Sequence, residues 1–123
     1  MAITTPTLVA HLPRKHSGPW AVNNDEDDAT PAVELKAAPG AGKALYLTSV
    51  SFSGQTVDVA ITLLDGSTVI FGPIQMQADG GSLFTKDWKH PLKLTANTAL
   101  NVLATNGVAF TVYVEGWTCE ASA

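Results

Sequence analysis

The segment Pro39-Gly40-Ala41-Gly42-Lys43 has the glycines and the lysine of a phosphate-cradling loop. A Walker-type loop also needs a glycine five residues before its Gly-Lys pair, where Ala37 stands, and Ser or Thr after the lysine, where Ala44 stands. Ala44-Leu45-Tyr46-Leu47 reads as a strand, so no helix follows to aim its N–H groups at a phosphate. The segment is expected to be a flexible connection. His11, His16 and His90 lack metal-ligand spacing: the first two are five apart with no Glu between them. Asp25-Glu26-Asp27-Asp28 has the acidity of a calcium loop, but Ala29 occupies the third ligand position and Thr30 that of the required glycine. It is expected to be a solvated run whose active use would be to meet a basic patch on a partner.

Acyl transfer fares no better. Ser17, Ser49, Ser51, Ser53, Ser67, Ser82 and Ser122 lie in no nucleophile elbow, and Cys119 has no flanking signature. The carboxylates that a glycosidase would pair (Glu34, Asp58, Asp65, Asp87 and Glu115) fall where strands or turns account for them. Indole faces stack on pyranose rings, so Trp20, Trp88 and Trp117 are the residues able to form a sugar platform. Trp88, within Lys86-Asp87-Trp88-Lys89-His90-Pro91, is the best placed, because that stretch reads as a polar loop; the competing expectation is a half-buried loop anchor. No catalytic residue, metal site or cofactor is expected.

The 123 residues fit one domain, which at this size buries roughly two-thirds of the surface its unfolded form exposes. Charged residues are 15% and hydrophobic ones 46%, which excludes a disordered chain and a coiled coil. The net charge is −4 and no basic block exceeds Arg14-Lys15, so a nucleic-acid partner is not expected. Cys119 is the single cysteine, leaving no disulfide framework and no support for an oxidising compartment. The start, Met1-Ala2-Ile3-Thr4-Thr5-Pro6, has no signal-peptide pattern, and no apolar run approaches the ~20 residues of a membrane span. Synthesis in a cytoplasm without a membrane partner is the expectation.

Residues 1–32 differ from the rest. Pro6, Pro13, Pro19 and Pro31 oppose helix and central strand, so the segment should be an extended arm. Leu8, Val9, Leu12 and Trp20 would be its anchors on another surface. Residues 33–123 read as β throughout. Val57, Val59, Ile61 and Leu63 alternate with Asp58, Ala60, Thr62 and Leu64, and Asp65-Gly66 offers a two-residue turn into Thr68-Val69-Ile70-Phe71. Further turns are read at Asp79-Gly80-Gly81 and Asn106-Gly107. Leu45 and Leu47 lie on one face and Val50 and Phe52 on the other, a phase flip near Thr48-Ser49 that marks a bulge or a crossing between sheets. Around eight strands without helical periodicity give an all-β, jelly-roll-like antiparallel β-sandwich. A two-residue turn at Asp65-Gly66 pairs Leu64 with Ser67, Leu63 with Thr68 and Ile61 with Ile70. Ala60, Thr62, Leu64, Val69 and Phe71 then form a second apolar face. Leu64, Val69 and Phe71 are the residues expected at a contact with another copy of the chain.

From Ala32 to Trp117 the chain resembles the small jelly-roll structural proteins of tailed bacteriophages. The resemblance runs through Leu35-Lys36-Ala37-Ala38-Pro39-Gly40-Ala41-Gly42-Lys43-Ala44-Leu45-Tyr46-Leu47-Thr48, Gly72-Pro73-Ile74, Asp79-Gly80-Gly81, Pro91-Leu92-Lys93-Leu94 and Ala99-Leu100-Asn101-Val102. Compact members with an N-terminal arm are similar to capsid decoration, or cement, proteins. That resemblance implies a non-enzymatic virion protein on the capsid exterior, a homotrimer bound to major capsid protein. The alternative is a tail or receptor-binding module that holds a host glycan through Trp88.

Overall fold

The computed structural model describes residues 7–8, 16–26, 29–53, 58–77, 83–105 and 109–121. Val9, Leu12, His11, Val57 and the turns expected at Asp79-Gly80-Gly81 and Asn106-Gly107 lie outside the described residues. The described chain is all-β, with nine strands: β1 (Thr7–Leu8), β2 (His16–Glu26), β3 (Val33–Lys36), β4 (Lys43–Ser53), β5 (Val59–Asp65), β6 (Thr68–Met76), β7 (Phe84–Lys93), β8 (Leu100–Ala104) and β9 (Phe110–Glu120). They form a five-stranded sheet, β1-β7-β4-β9-β2, and a four-stranded sheet, β3-β8-β5-β6. Among the pairings, β2 with β9, β3 with β8, β4 with β7 and β5 with β6 are the rungs of one long hairpin folded back at the β5–β6 turn. Pairing of β4 with β9 and of β5 with β8 rolls that hairpin into two facing sheets. This is the jelly-roll topology that the strand spacing predicts.

The core lies between the sheets. Leu45, Leu47, Val50 and Phe52 of β4 all belong to it, facing Ile61 and Leu63 of β5 and Leu100 and Val102 of β8. They share one face because both registers of β4 shift between Leu47 and Ser49, so that Thr48 is the extra residue against β9. The expected phase flip is therefore a bulge.

The expected turn register needs correction. Asp65 is not a turn residue but the last of β5, paired with Thr68, and Leu64 pairs with Val69. The loop is Gly66-Ser67, with Gly66 at a φ of 63°. The cause lies thirty residues downstream: Asp65 Oδ2 accepts hydrogen bonds from Thr95 N at 2.9 Å and from Thr95 Oγ1 at 2.7 Å. Gly66 N donates to Ala99 O, and Asn101 Nδ2 to Gly66 O. Past this point β6 takes up extra residues, with Leu63 opposite Phe71 and Ile61 opposite Ile74. At Gly72 (φ 99°) a Cβ would stand 2.7 Å from Ile61 O, so glycine is required there.

Residues 16–26, expected within the arm, are extended but pair with β9 along their whole length, so the sandwich takes in residues before 33. Pro19 is tolerated because β2 is an edge strand and needs no ladder donor on its outer side. Leu8 lies on the opposite edge, where β1 pairs with β7.

The buried carboxylate of Asp65 ties the hairpin apex to the β7–β8 connection. Asp65→Ala should lower unfolding stability by about 2–3 kcal/mol, as expected when hydrogen bonds to a buried charge are lost. Asp65→Asn keeps an acceptor and should cost about 1 kcal/mol. Urea midpoints at constant m-value check both.

Candidate functional site

The sides of the sandwich are closed by aromatic residues. Phe52 and Phe84 stack at 6.0 Å, Phe84 meets Phe71 at 5.7 Å, and Phe71 meets the Trp88 ring edge-on at 5.2 Å. This cluster spans β4, β7 and β6. It draws on two of the sequence-derived candidates and separates them from their expected settings. Phe71 does not stand beside Leu64 and Val69 on the outer face, because the β6 bulge turns it towards the core cluster. Trp88 is in strand β7 and not in a loop. It opens the stretch 88–91, which lies between the Ser49 and Leu47 pairings, opposite Thr48 alone. Its ring is thus a wedge against Phe71.

On the other side, Trp20 of β2 packs towards the core. Its register partner is Gly116, where a Cβ would come within 2.6 Å of the indole. Lys36 Nζ of β3 sits 5.5 Å from the Trp20 ring centroid, a cation–π contact across the gap between the sheets. The indole Nε1 is buried without an acceptor among the described residues. Trp20, expected as an arm anchor on a partner, is thus engaged with its own chain. Of the expected subunit-contact residues, Leu64 is buried and Val69 is 51% exposed. Both lie on the outer face of the four-stranded sheet with Ala60, Thr62, Gln75, Asn101 and Leu103, which are register neighbours across β6, β5 and β8. These side chains are neutral, and Glu34 of β3, the register partner of Asn101, adds an exposed carboxylate at the edge of the same face.

The outer face of the five-stranded sheet is different. On β9, the buried positions Phe110, Val112, Val114 and Gly116 alternate with Thr111, Tyr113, Glu115 and Trp117. Tyr113, Glu115 and Trp117, with Pro19 and Ala21 of β2 and Thr48 at the β4 bulge, line an open groove of about 370 Å³. Ala21 and Pro19 are the partners of Glu115 and Trp117, and their small side chains keep that flank low. The Tyr113 hydroxyl donates to the Glu115 carboxylate. Desolvation, then the Glu115 charge and this bond, hold the phenol above its ordinary pKa. Thr48 Oγ1 donates to the Glu115 carbonyl at 3.2 Å, which leaves the carboxylate to the groove. In the sequence, Phe110, Val112 and Val114 alternate with Thr111, Tyr113 and Glu115, a period-2 pattern that puts Tyr113 and Glu115 on the face away from the core. What sequence could not supply was the β2 flank, because those residues read as an arm. A second groove of about 360 Å³ lies beyond Pro19 and Trp20, lined by Lys36, Lys43 and the Ala37-Ala38-Pro39 connection. That connection leads into a strand, as expected.

Beside Trp117 lies a small outer cluster of Ala44, Tyr46 and Cys119, all fully buried. Lys93 Nζ stands 5.9 Å from the Tyr46 ring centroid and donates to Ala121 O, and Tyr46 Oη donates to Glu120 O at 3.1 Å. Burial pushes the Cys119 thiol up from its ordinary 9.0. Burial, and then the nearby Cys119, push up the Tyr46 phenol. A buried, protonated thiol is a poor nucleophile. Among the described residues no three His, Cys, Asp or Glu side chains gather as a metal site would require. Asp25, from the acidic run, accepts a hydrogen bond from Thr111 Oγ1 at 2.8 Å.

Two outcomes follow from these environments. Cys119 should react with a thiol reagent at pH 8 only as fast as the chain opens, and at once in concentrated urea. Cys119 and Tyr46 bind protons more tightly folded than unfolded, so their stabilisation is full below the unfolded values and is lost as pH rises through the folded ones. The urea midpoint should be level on the neutral side of pH 9.0 and fall above it, and Cys119→Ala should remove the earlier part of that fall.

No protein-family model and no curated protein matches this chain.

Proposed function

We propose that this chain is a non-enzymatic virion structural protein that decorates and stabilises a bacteriophage capsid. It acts from the capsid exterior as a homotrimer bound to major capsid protein, after synthesis in the host cytoplasm. The observation that carries the proposal is the apolar patch on the outer face of the four-stranded sheet, bordered at the β3 edge by the exposed Glu34. There Ala60, Thr62 and Leu64 of β5 are buried, flanked by Leu103 and by the half-exposed Val69. Within the single chain β5 is already buried at every position, so what this face offers a neighbour is the half-exposed Val69 of β6 with the part-buried Leu103 of β8. An apolar patch of this kind suits contact with another copy of the same chain, and in a ring of three it meets a different patch of its neighbour. The jelly-roll topology supports the same reading, being the fold that the resemblance implies.

The mechanism needs no catalytic group. A protein that binds the assembled shell and not its separated subunits stabilises the shell by linkage, and a trimer adds avidity without a new type of contact. The segment preceding β2 contributes the capsid contact in this mechanism, through Leu8, Val9 and Leu12. Trp20 is withdrawn from that role by its own packing against Gly116 and Lys36.

Light scattering after size exclusion tests the proposal. The full chain should show three times its 12.9 kDa mass. Val69→Glu, at a half-exposed position, should leave the thermal midpoint nearly unchanged and reduce the mass to that of a monomer. A wild-type monomer on its own and on purified heads would overturn the subunit contact. Unchanged head occupancy after deletion of residues 1–15 would overturn the capsid role of that segment.

A further inference from the structure

We infer that the groove over β9 on the five-stranded sheet is a binding site for a neutral pyranose sugar. The glycan-recognising alternative is thereby moved from Trp88 to Tyr113, Glu115 and Trp117. Trp88 cannot serve as a stacking platform while its ring edge packs against Phe71. Tyr113, Glu115 and Trp117 lie on β9, separated from β7 by β4 in the same five-stranded sheet.

The geometry selects the ligand class. Outward positions on one strand repeat about every 6.7 Å, so the Tyr113 and Trp117 backbones stand about 13 Å apart with Glu115 midway. Aromatic rings that bind an ammonium group must converge within about 6 Å of it. Two rings spread along a strand make a strip instead, and a strip suits the flat, hydrogen-covered face of a sugar ring. The polar groups between them complete the match. A carboxylate has about four acceptor sites, and the Tyr113 hydroxyl occupies one, which leaves others for sugar hydroxyl donors. Bonds from hydroxyls to a carboxylate are charge-assisted and strong. A groove of about 370 Å³ falls within the size range of small-molecule sites, and its lining is polar and apolar in nearly equal measure, as a hydroxylated ligand requires. Glu115 and the net charge of −4 oppose an acidic sugar.

Three features assemble the site. Ala21 and Pro19 keep the β2 flank low, the Thr48 bulge sets the β4 flank, and the Thr48 hydroxyl pins the backbone of Glu115. Larger side chains at 19 and 21 would fill the groove.

The experiment is a titration of the full-length protein with methyl pyranosides of glucose, galactose, mannose and N-acetylglucosamine and with their β-linked disaccharides. Binding is read from indole and backbone resonances. Saturable shifts at Trp117 and Glu115, with a millimolar dissociation constant for at least one probe, are expected. Ala21→Leu and Glu115→Ala should each weaken binding by about tenfold, equivalent to about 1.4 kcal/mol. Trp88→Ala should leave affinity unchanged once its fold is verified. Trp117→Ala serves only where its spectrum remains that of a folded chain, because Trp117 also packs on Tyr46 and Cys119. Three results would overturn the inference: no saturable shift with any probe, shifts confined to Trp88, or tighter binding of tetramethylammonium or of sialic acid than of every neutral sugar.

Discussion

The bulge at Thr48 is the constraint on which the rest of the molecule depends. An uninterrupted strand would put Leu45 and Leu47 on one face and Val50 and Phe52 on the other, with four large side chains divided between core and solvent. Each is worth about 2–3 kcal/mol when buried, so the extra residue is strongly favoured despite the ladder bond it interrupts. Because β4 lies between β7 and β9, one irregularity shifts two registers. On the β7 side the excess residues 88–91 carry Trp88 against Phe71. On the β9 side Thr48 bonds the Glu115 carbonyl and forms one flank of the groove.

How much of this could be read from sequence depends on where the deciding contact lay. The flip at Thr48-Ser49 was legible because it is a conflict within one strand. The β5–β6 turn was legible as a turn, but its register was not. Thr95 holds Asp65 inside the strand, and no local pattern reports a partner thirty residues away. Phe71 followed that error, since one further residue in β6 moves it from the outer face to the side cluster. Residues 16–26 were misplaced for a related reason. Proline and sparse apolar residues do argue against a central strand, but β2 is an edge strand, where that objection lapses.

Glycines 72 and 116 mark where the two sheets must be brought closest to their own neighbours. At Gly72 the β6 bulge presses on the carbonyl of Ile61, and at Gly116 the Trp20 ring lies where a Cβ would stand. The second contact explains why an indole can fill the β2 side although its N–H finds no acceptor among the described residues. An orphaned donor costs about 1–3 kcal/mol, while loss of a packed Trp costs about 3–5 kcal/mol, so burial wins. Lys36 over the ring adds a favourable electrostatic contact from the other sheet. The sandwich is therefore closed by different means on its two sides, by stacked aromatic residues at β6–β7 and by one indole and a lysine at β2–β3.

These closures use up Phe71, Trp88 and Trp20, three of the side chains that sequence alone offered for recognition. The outward side chains not used in these closures are divided between two faces of different character. The smaller sheet presents Val69 and Leu103 among neutral polar groups, with Glu34 at the β3 edge, a surface suited to another copy of the chain. The larger sheet presents Tyr113, Glu115 and Trp117, a surface suited to a hydroxylated ligand. Facing sheets of a sandwich are about 10 Å apart and point their outer sides in opposite directions. A copy seated on the smaller sheet therefore cannot cover the groove on the same molecule. Assembly through Val69 and recognition through Glu115 use opposite sides of one molecule, and a trimer in which Val69 meets a patch of its neighbour other than β9 would carry one open groove per subunit, multiplying a weak sugar contact by avidity.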